Sequence, residues 1–228
     1  MRYATKPTRR EMIFGGVYLF LYMAVLPYLF GLVFVLLGIP VSAGELNFLF
    51  FCTNFLAVLV IFRKYLFQSA KDALDVPFAT FRYALLGYFG NNILTNLVTV
   101  FCIRVYPAFL NVNDANISAI MVDDFTLMAV GAIFLAPFAE EVLFRGLVFR
   151  GLFDKHPLLA YGLSMTLFAM VHISGYIGKF DPLLLALCFL QYLPAGYCLC
   201  FAYHRSGTIL APILMHMLAN IAAVYSMR

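Results

Sequence analysis

Long apolar runs without any Asp, Glu, Lys or Arg constrain this chain more than any other feature. Seven such runs occur in the 228 residues: 12–44, 46–62, 83–103, 125–139, 157–178, 182–203 and 206–227. Because a segment inside lipid must satisfy its own backbone hydrogen bonds, runs near 20 residues are typical of transmembrane helices. The runs lack the strict alternation of barrel strands. The sequence therefore predicts an all-α, polytopic transmembrane helical bundle of about seven spans.

The composition excludes several classes of protein. Hydrophobic residues make up 64% of the chain and charged residues only 11%, whereas a soluble domain carries about 25% charged residues. A cytosolic enzyme, a nucleic-acid binder and a disordered protein are therefore excluded, and membrane lipid is the expected surrounding. The five cysteines lie inside apolar runs and are interpreted as buried thiols: Cys52, Cys102, Cys188, Cys198 and Cys200.

Basic residues predict the orientation of the chain, because cytoplasmic segments of membrane proteins are enriched in Lys and Arg. With the N-terminus inside, the cytoplasmic segments hold eleven of them: Arg2, Lys6, Arg9, Arg10, Arg63, Lys64, Lys71, Arg82, Arg150, Lys155 and Arg205. The opposite side holds three: Arg104, Lys179 and Arg228. We expect a multi-pass protein of the cell membrane, with a cytoplasmic N-terminus and a C-terminus outside. Segment 66–80 is expected at the cytoplasmic interface and 111–124 as an outer loop.

Ionisable side chains inside the fourth span require an explanation. Glu140, Glu141 and Arg145 occur within six residues, and one charge at the bilayer centre costs at least about 2.5–3.5 kcal/mol. The span is long enough only if its helix continues through these residues. Glu141 and Arg145, four residues apart, can pair on one helical face. Glu140 is rotated about 100° away, so it is free to take part in chemistry.

Two later spans also carry polar side chains. Glu140 and His172 each lie 16 residues from His156, so a helical hairpin turning there would bring them to the same depth. His216 and Asn220, four residues apart, share one face of the last span. Their N–H groups could stabilise an oxyanion, or they could serve as polar contacts between helices. A buried structural network likewise remains an alternative for the two glutamates.

Three short patterns carry a resemblance to a known family. Residues 140–145 read EEVLFR, residues 168–172 read FAMVH and residues 216–220 read HMLAN. They resemble the EExxxR, FxxxH and HxxxN motifs of the CPBP family, the CAAX-protease and bacteriocin-processing (Abi-type) intramembrane endopeptidases, which includes type II CAAX prenyl endopeptidases. The motifs occur in the order of that family. We expect one integral-membrane domain over 1–228, with a motif-bearing catalytic core over 125–227.

The resemblance implies a role for each matched residue. Glu140 and His172 would activate a water molecule, Glu141 and Arg145 would support Glu140, and His216 with Asn220 would bind the oxyanion, all in a polar cavity within the bundle. The implied activity is hydrolysis of a peptide bond in a hydrophobic or lipidated peptide or protein tail, of CAAX, pheromone or bacteriocin type. A carboxylate in an apolar site is a stronger base than one in water.

Three alternatives stay open from the sequence. Glu140, His172 and His216 could form a zinc site with an open fourth position, but another base would then be needed, so we expect no cofactor. A non-catalytic membrane regulator or immunity protein of the same fold would use the motifs structurally. A proton-coupled transporter is a third possibility, since intramembrane carboxylates and histidines also mark proton routes.

Overall fold

The computed structural model describes residues 5–227 and is built from helices over that range. Arg2 and Arg228, both used above for the orientation, lie outside the described residues, and the orientation stays a prediction. The α-helices, in chain order, are α1 Arg9–Ala24, α2 Leu26–Leu37, α3 Ala43–Ile61, α4 Arg63–Asp75, α5 Pro77–Val105, α6 Val112–Val130, α7 Ala136–Glu141, α8 Arg150–Phe153, α9 Pro157–Ile173, α10 Pro182–Ser206 and α11 Leu210–Ser226. Two π-helical segments, Gly131–Leu135 and Val142–Phe149, flank α7.

The helices confirm the predicted membrane bundle, but the number and shape of its spans differ from the prediction. Five helical segments of the described chain are long and apolar enough to cross a membrane, and the pair α1–α2 would make a sixth. This pair is bent by 61°, so the first apolar run is not one straight helix; Pro27, in the first turn of α2, has no N–H to continue α1. The helix of the seventh run, α11, has only 17 residues.

The predicted outer loop at 111–124 is wrong. The segment lies in α6, whose N-terminus is capped by Asn111: its side-chain oxygen accepts hydrogen bonds from the backbone N–H groups of Asn113 and Asp114. Polar residues at this point thus begin a helix instead of forming a loop. From Val112 the helical path continues to Phe153, over 42 residues, with one kink at Asp124, whose backbone angles are not helical. The prediction that the fourth span continues through the charged residues is confirmed.

The core of the bundle lies around the motif-bearing helices. α10 packs against both α5 and α9, while α11 packs against α5. Gly196 on α10 allows the close approach to α9, because a Cβ there would lie 3.0 Å from the Cα of Met165. The backbone carbonyl of Gly196 accepts a hydrogen bond from Nη2 of the buried Arg145 at 3.1 Å. All five cysteines are free thiols; four are buried, as expected, whereas Cys52 is partly exposed.

Candidate active site

The two glutamates stand on a short helix, α7, between wider turns. In the preceding π-helical segment the N–H of Ala136 bonds to the carbonyl of Gly131, five residues back. Pro137 follows; it cannot donate, and a proline ring crowds the carbonyl four residues before it. A π turn at this point accommodates the proline, and such turns are frequent at functional sites. Local sequence thus explains why the helix is distorted next to Glu140.

One cavity of about 590 Å³ collects the predicted catalytic side chains. Glu140 from α7, His172 from α9, and His216 with Asn220 from α11 all line it. Glu140 and His216 are largely buried, with exposed fractions of 8% and 7%. The structure therefore brings together four residues from three helices, as the resemblance implies. Their catalytic roles remain predictions.

Glu141 does not line the cavity; it lies behind it with an exposed fraction of 0%. Its Oε1 accepts from Arg145 Nη1 at 3.0 Å, so the sequence-based pairing is confirmed. The same oxygen lies 2.9 Å from His216 Nδ1. Because a carboxylate accepts, this nitrogen donates, and only His216 Nε2 is left for the cavity. Glu141 thus orients an imidazole 75 residues away, a contact that the sequence analysis did not predict.

Phe168, the first residue of the second motif, fixes the positions of three functional side chains. Its ring lies beneath the Arg145 guanidinium at 4.5 Å and contacts the rings of His172 and His216, with centroids 4.7 Å and 5.6 Å away. Its backbone carbonyl accepts from His172 Nδ1 at 2.8 Å. A carbonyl can only accept, so Nδ1 carries the proton and Nε2 of neutral His172 is the basic nitrogen.

Asn220 has one donor engaged and one remaining. Its Nδ2 donates to the carbonyl of Ala132, in the first π-helical segment, at 2.7 Å. A carboxamide nitrogen carries two hydrogens, so the second one can serve a ligand in the cavity. The interhelical contact and the oxyanion role, which were alternatives in the sequence, are compatible in this geometry.

The alternative zinc set is not assembled. Over residues 5–227, no three His, Cys, Asp or Glu side chains are grouped so that they could hold a metal ion. Nδ1 of His216 faces Glu141 and Nδ1 of His172 faces a backbone carbonyl, so each imidazole keeps Nε2 for the cavity. Glu140, His172 and His216 are thus not grouped as a metal centre in this arrangement of the described residues, and we derive no step through one.

The sequence analysis missed several polar residues of the cavity. Tyr22 from α1 donates to Glu140 Oε1 at 3.2 Å. Tyr192 from α10 stacks on His172, with centroids 4.4 Å apart and an interplanar angle of 30°. The Tyr192 hydroxyl donates to Asp114 Oδ1 at 2.9 Å. All three residues line the cavity, and no spacing in the sequence distinguishes them from other tyrosines and acids.

Comparison with known proteins agrees with this geometry. Residues 123–222, which contain all three motifs, match the family described as type II CAAX prenyl endopeptidase Rce1-like. This segment is similar to the Rce1-like family. The resemblance stated from the motifs is thereby confirmed.

Two bacterial relatives are similar to parts of the chain. "UPF0177 protein YbdI" of Lactococcus lactis subsp. lactis (strain IL1403) is 27% identical over 137 residues, which cover 59% of this chain and 67% of YbdI. "Putative membrane peptidase YdiL" of Bacillus subtilis (strain 168) is 30% identical over 99 residues, or 43% of this chain and 36% of YdiL. No solved structure matches the chain. These relatives and the Rce1-like match support a membrane protease family and a multi-pass membrane protein.

Proposed function

We propose that the protein is an intramembrane endopeptidase that hydrolyses a peptide bond in a membrane-associated peptide or protein tail. The observation that carries this proposal is the convergence of Glu140, His172, His216 and Asn220 on one cavity. The cavity is lined by these polar groups and by apolar side chains such as Phe50 and Ile117. A hydrophobic or lipidated segment fits such surroundings, and its carbonyl would meet the polar groups.

Water activation is the first task of the proposed site. Glu140 Oε2 is buried and accepts no hydrogen bond from the described residues, so it is the oxygen available to a substrate water. In the proposed step Glu140 takes a proton from this water while the water oxygen bonds to the scissile carbonyl carbon. His172, with Nε2 as its basic nitrogen, orients the same water and moves protons.

Oxyanion stabilisation is the second task. The tetrahedral intermediate places a negative charge on the former carbonyl oxygen, which Asn220 can bind through its second Nδ2 hydrogen. His216 gives Nδ1–H to Glu141, so its Nε2 can donate only when the imidazole carries a second proton. In that form His216, Glu141 and Arg145 together carry one net positive charge behind the oxyanion. The C–N bond then breaks, and the proton held by Glu140 passes to the leaving amine.

The test is hydrolysis of a fluorogenic membrane peptide by purified protein in detergent. We expect Glu140→Gln to lower the turnover by a factor of about 10²–10⁴, the usual contribution of a general acid–base group. Glu45→Gln is the matched control, because Glu45 caps α3 and does not line the cavity. Undiminished turnover in Glu140→Gln would refute the assignment of the base.

A comparison of membrane peptidomes from cells with wild-type protein and with Glu140→Gln would then identify the substrate and the cleaved bond. A peptide that accumulates uncut only with Glu140→Gln is the expected result. If cells keep full function with Glu140, His172 and His216 all changed to Ala at normal abundance, the protein acts as the non-catalytic regulator instead.

A further inference from the structure

The N-terminal part of the chain contributes a side chain to the proposed catalytic carboxylate. Tyr22 lies on α1, outside the segment 123–222 that matches the Rce1-like family. Its hydroxyl donates to Glu140 Oε1 at 3.2 Å across a separation of 118 residues. Both residues line the cavity. The first helix is therefore in direct contact with the site and does more than cover the motif-bearing helices.

The Tyr22 ring is held firmly. Only 4% of the residue is exposed, and its ring stacks on Phe50 of α3, with centroids 5.8 Å apart and an interplanar angle of 17°. Phe144, in the second π-helical segment, meets the ring edge-on at 6.3 Å. Aromatic contacts on two sides leave the phenol ring little freedom, so packing from two other helical segments fixes the position of its hydroxyl oxygen.

The two oxygens of Glu140 consequently differ. Oε1 accepts the Tyr22 hydroxyl, whereas Oε2 is buried without a donor among the described residues. We propose that Tyr22 is a positioning residue for the reaction: by holding Oε1, it turns Oε2 toward the water that attacks the substrate. This inference rests on the proposed function, because it assigns a task to a residue that acts through Glu140.

The chain offers a matched control one helical turn earlier. Tyr18 on α1 also donates its hydroxyl to a side chain, Asn54 Oδ1 at 2.6 Å. It does not line the cavity. A Tyr→Phe change at either position removes one hydroxyl and one hydrogen bond from the same helix, but only the Tyr22 hydroxyl contacts Glu140.

The first measurement is kinetic. We expect Tyr22→Phe to lower kcat by about tenfold, the value of one hydrogen bond to a charged group, with KM within about twofold of wild type. Tyr18→Phe should leave both constants within about twofold. Phe keeps the stacking on Phe50, so the fold is retained; a 3-fluorotyrosine at position 22, which restores the hydroxyl, should bring kcat back. Equal kcat values in Tyr22→Phe and Tyr18→Phe would overturn the inference.

The second measurement needs no activity. Thermal unfolding of Tyr22→Phe, Glu140→Gln and the double variant should be non-additive by about 2–4 °C, because the two side chains contact each other. Tyr18→Phe combined with Glu140→Gln should be additive. Non-additivity together with an inactive wild type would refute the proposed peptidase but keep the contact. Additivity with an active wild type and an inactive Glu140→Gln would refute only the role of Tyr22.

Discussion

The helical stretch from α7 to α8 carries two acid–arginine pairs with the same four-residue spacing in different surroundings. Glu141 and Arg145 lie inside the bundle, 3.0 Å apart, with both side chains 0% exposed. Arg150 and Asp154 lie at the end of the stretch, 2.7 Å apart, with exposed fractions of 6% and 37%. Distance alone would rank the second pair as stronger. Burial reverses that order, because Asp154 is partly exposed to water whereas both members of the Glu141–Arg145 pair are fully buried.

The buried pair gives the largest expected effect on stability. Glu141→Ala leaves Arg145 buried without its carboxylate, and breaking a buried pair in this way costs about 3–5 kcal/mol. His216 loses its partner at the same time. Asp154→Ala, the matched change at the end of the stretch, should cost less, because the Asp154 carboxylate is partly exposed. Denaturant unfolding in detergent measures both; a smaller loss in Glu141→Ala than in Asp154→Ala would contradict the comparison.

Removing both members of the buried pair separates stability from activity. Glu141→Met combined with Arg145→Met buries no unpaired charge, so we expect it to be more stable than Glu141→Ala by about 2 kcal/mol. Recovery is incomplete because the Gly196 carbonyl loses its donor. Peptide hydrolysis should stay low, since His216 has no carboxylate to orient it. A double variant as unstable as Glu141→Ala would contradict the stated cost of an unpaired buried charge. A double variant with wild-type hydrolysis would contradict the role of Glu141 in orienting His216.

The sequence was sufficient to predict those features that depend on hydrophobicity and helical periodicity. Apolar runs predicted the bundle, and four-residue spacing predicted the Glu141–Arg145 pair, because both depend on local helix geometry. The contact of Glu141 with His216 was not predicted, since it depends on how α7 and α11 pack and on the π turns beside α7. Residue spacing shows which side chains share a face of one helix, but it does not show which side chains of another helix they contact.

The missed residues have a similar physical reason. Tyr18, Tyr22 and Tyr28 lie in one apolar run, and nothing in their spacing indicates which one reaches Glu140. The 61° bend between α1 and α2, which follows Tyr22, also escaped the sequence analysis. At 111–114, polar residues were interpreted as a loop, although the same residue types favour the start of a helix.

The Arg150–Asp154 pair gives the smallest expected effect, and pH can isolate it. A hydrogen bond from Lys6, and after it one from Arg150, lowers the pKa of Asp154 against the opposing effect of desolvation. A carboxyl group with a lowered folded-state pKa stabilises the fold above its unfolded-state pKa of about 3.9, and this contribution is lost as the pH falls through the folded-state pKa. The stability difference between wild type and Asp154→Ala should therefore shrink from about pH 7 to about pH 3, and also in high salt. Thermal unfolding at both pH values measures it. A difference that persists at low pH would mean that Asp154 stabilises the fold through packing and not through its charge. The larger effect expected for Glu141→Ala would then reflect the number of buried side-chain atoms and not the buried charge.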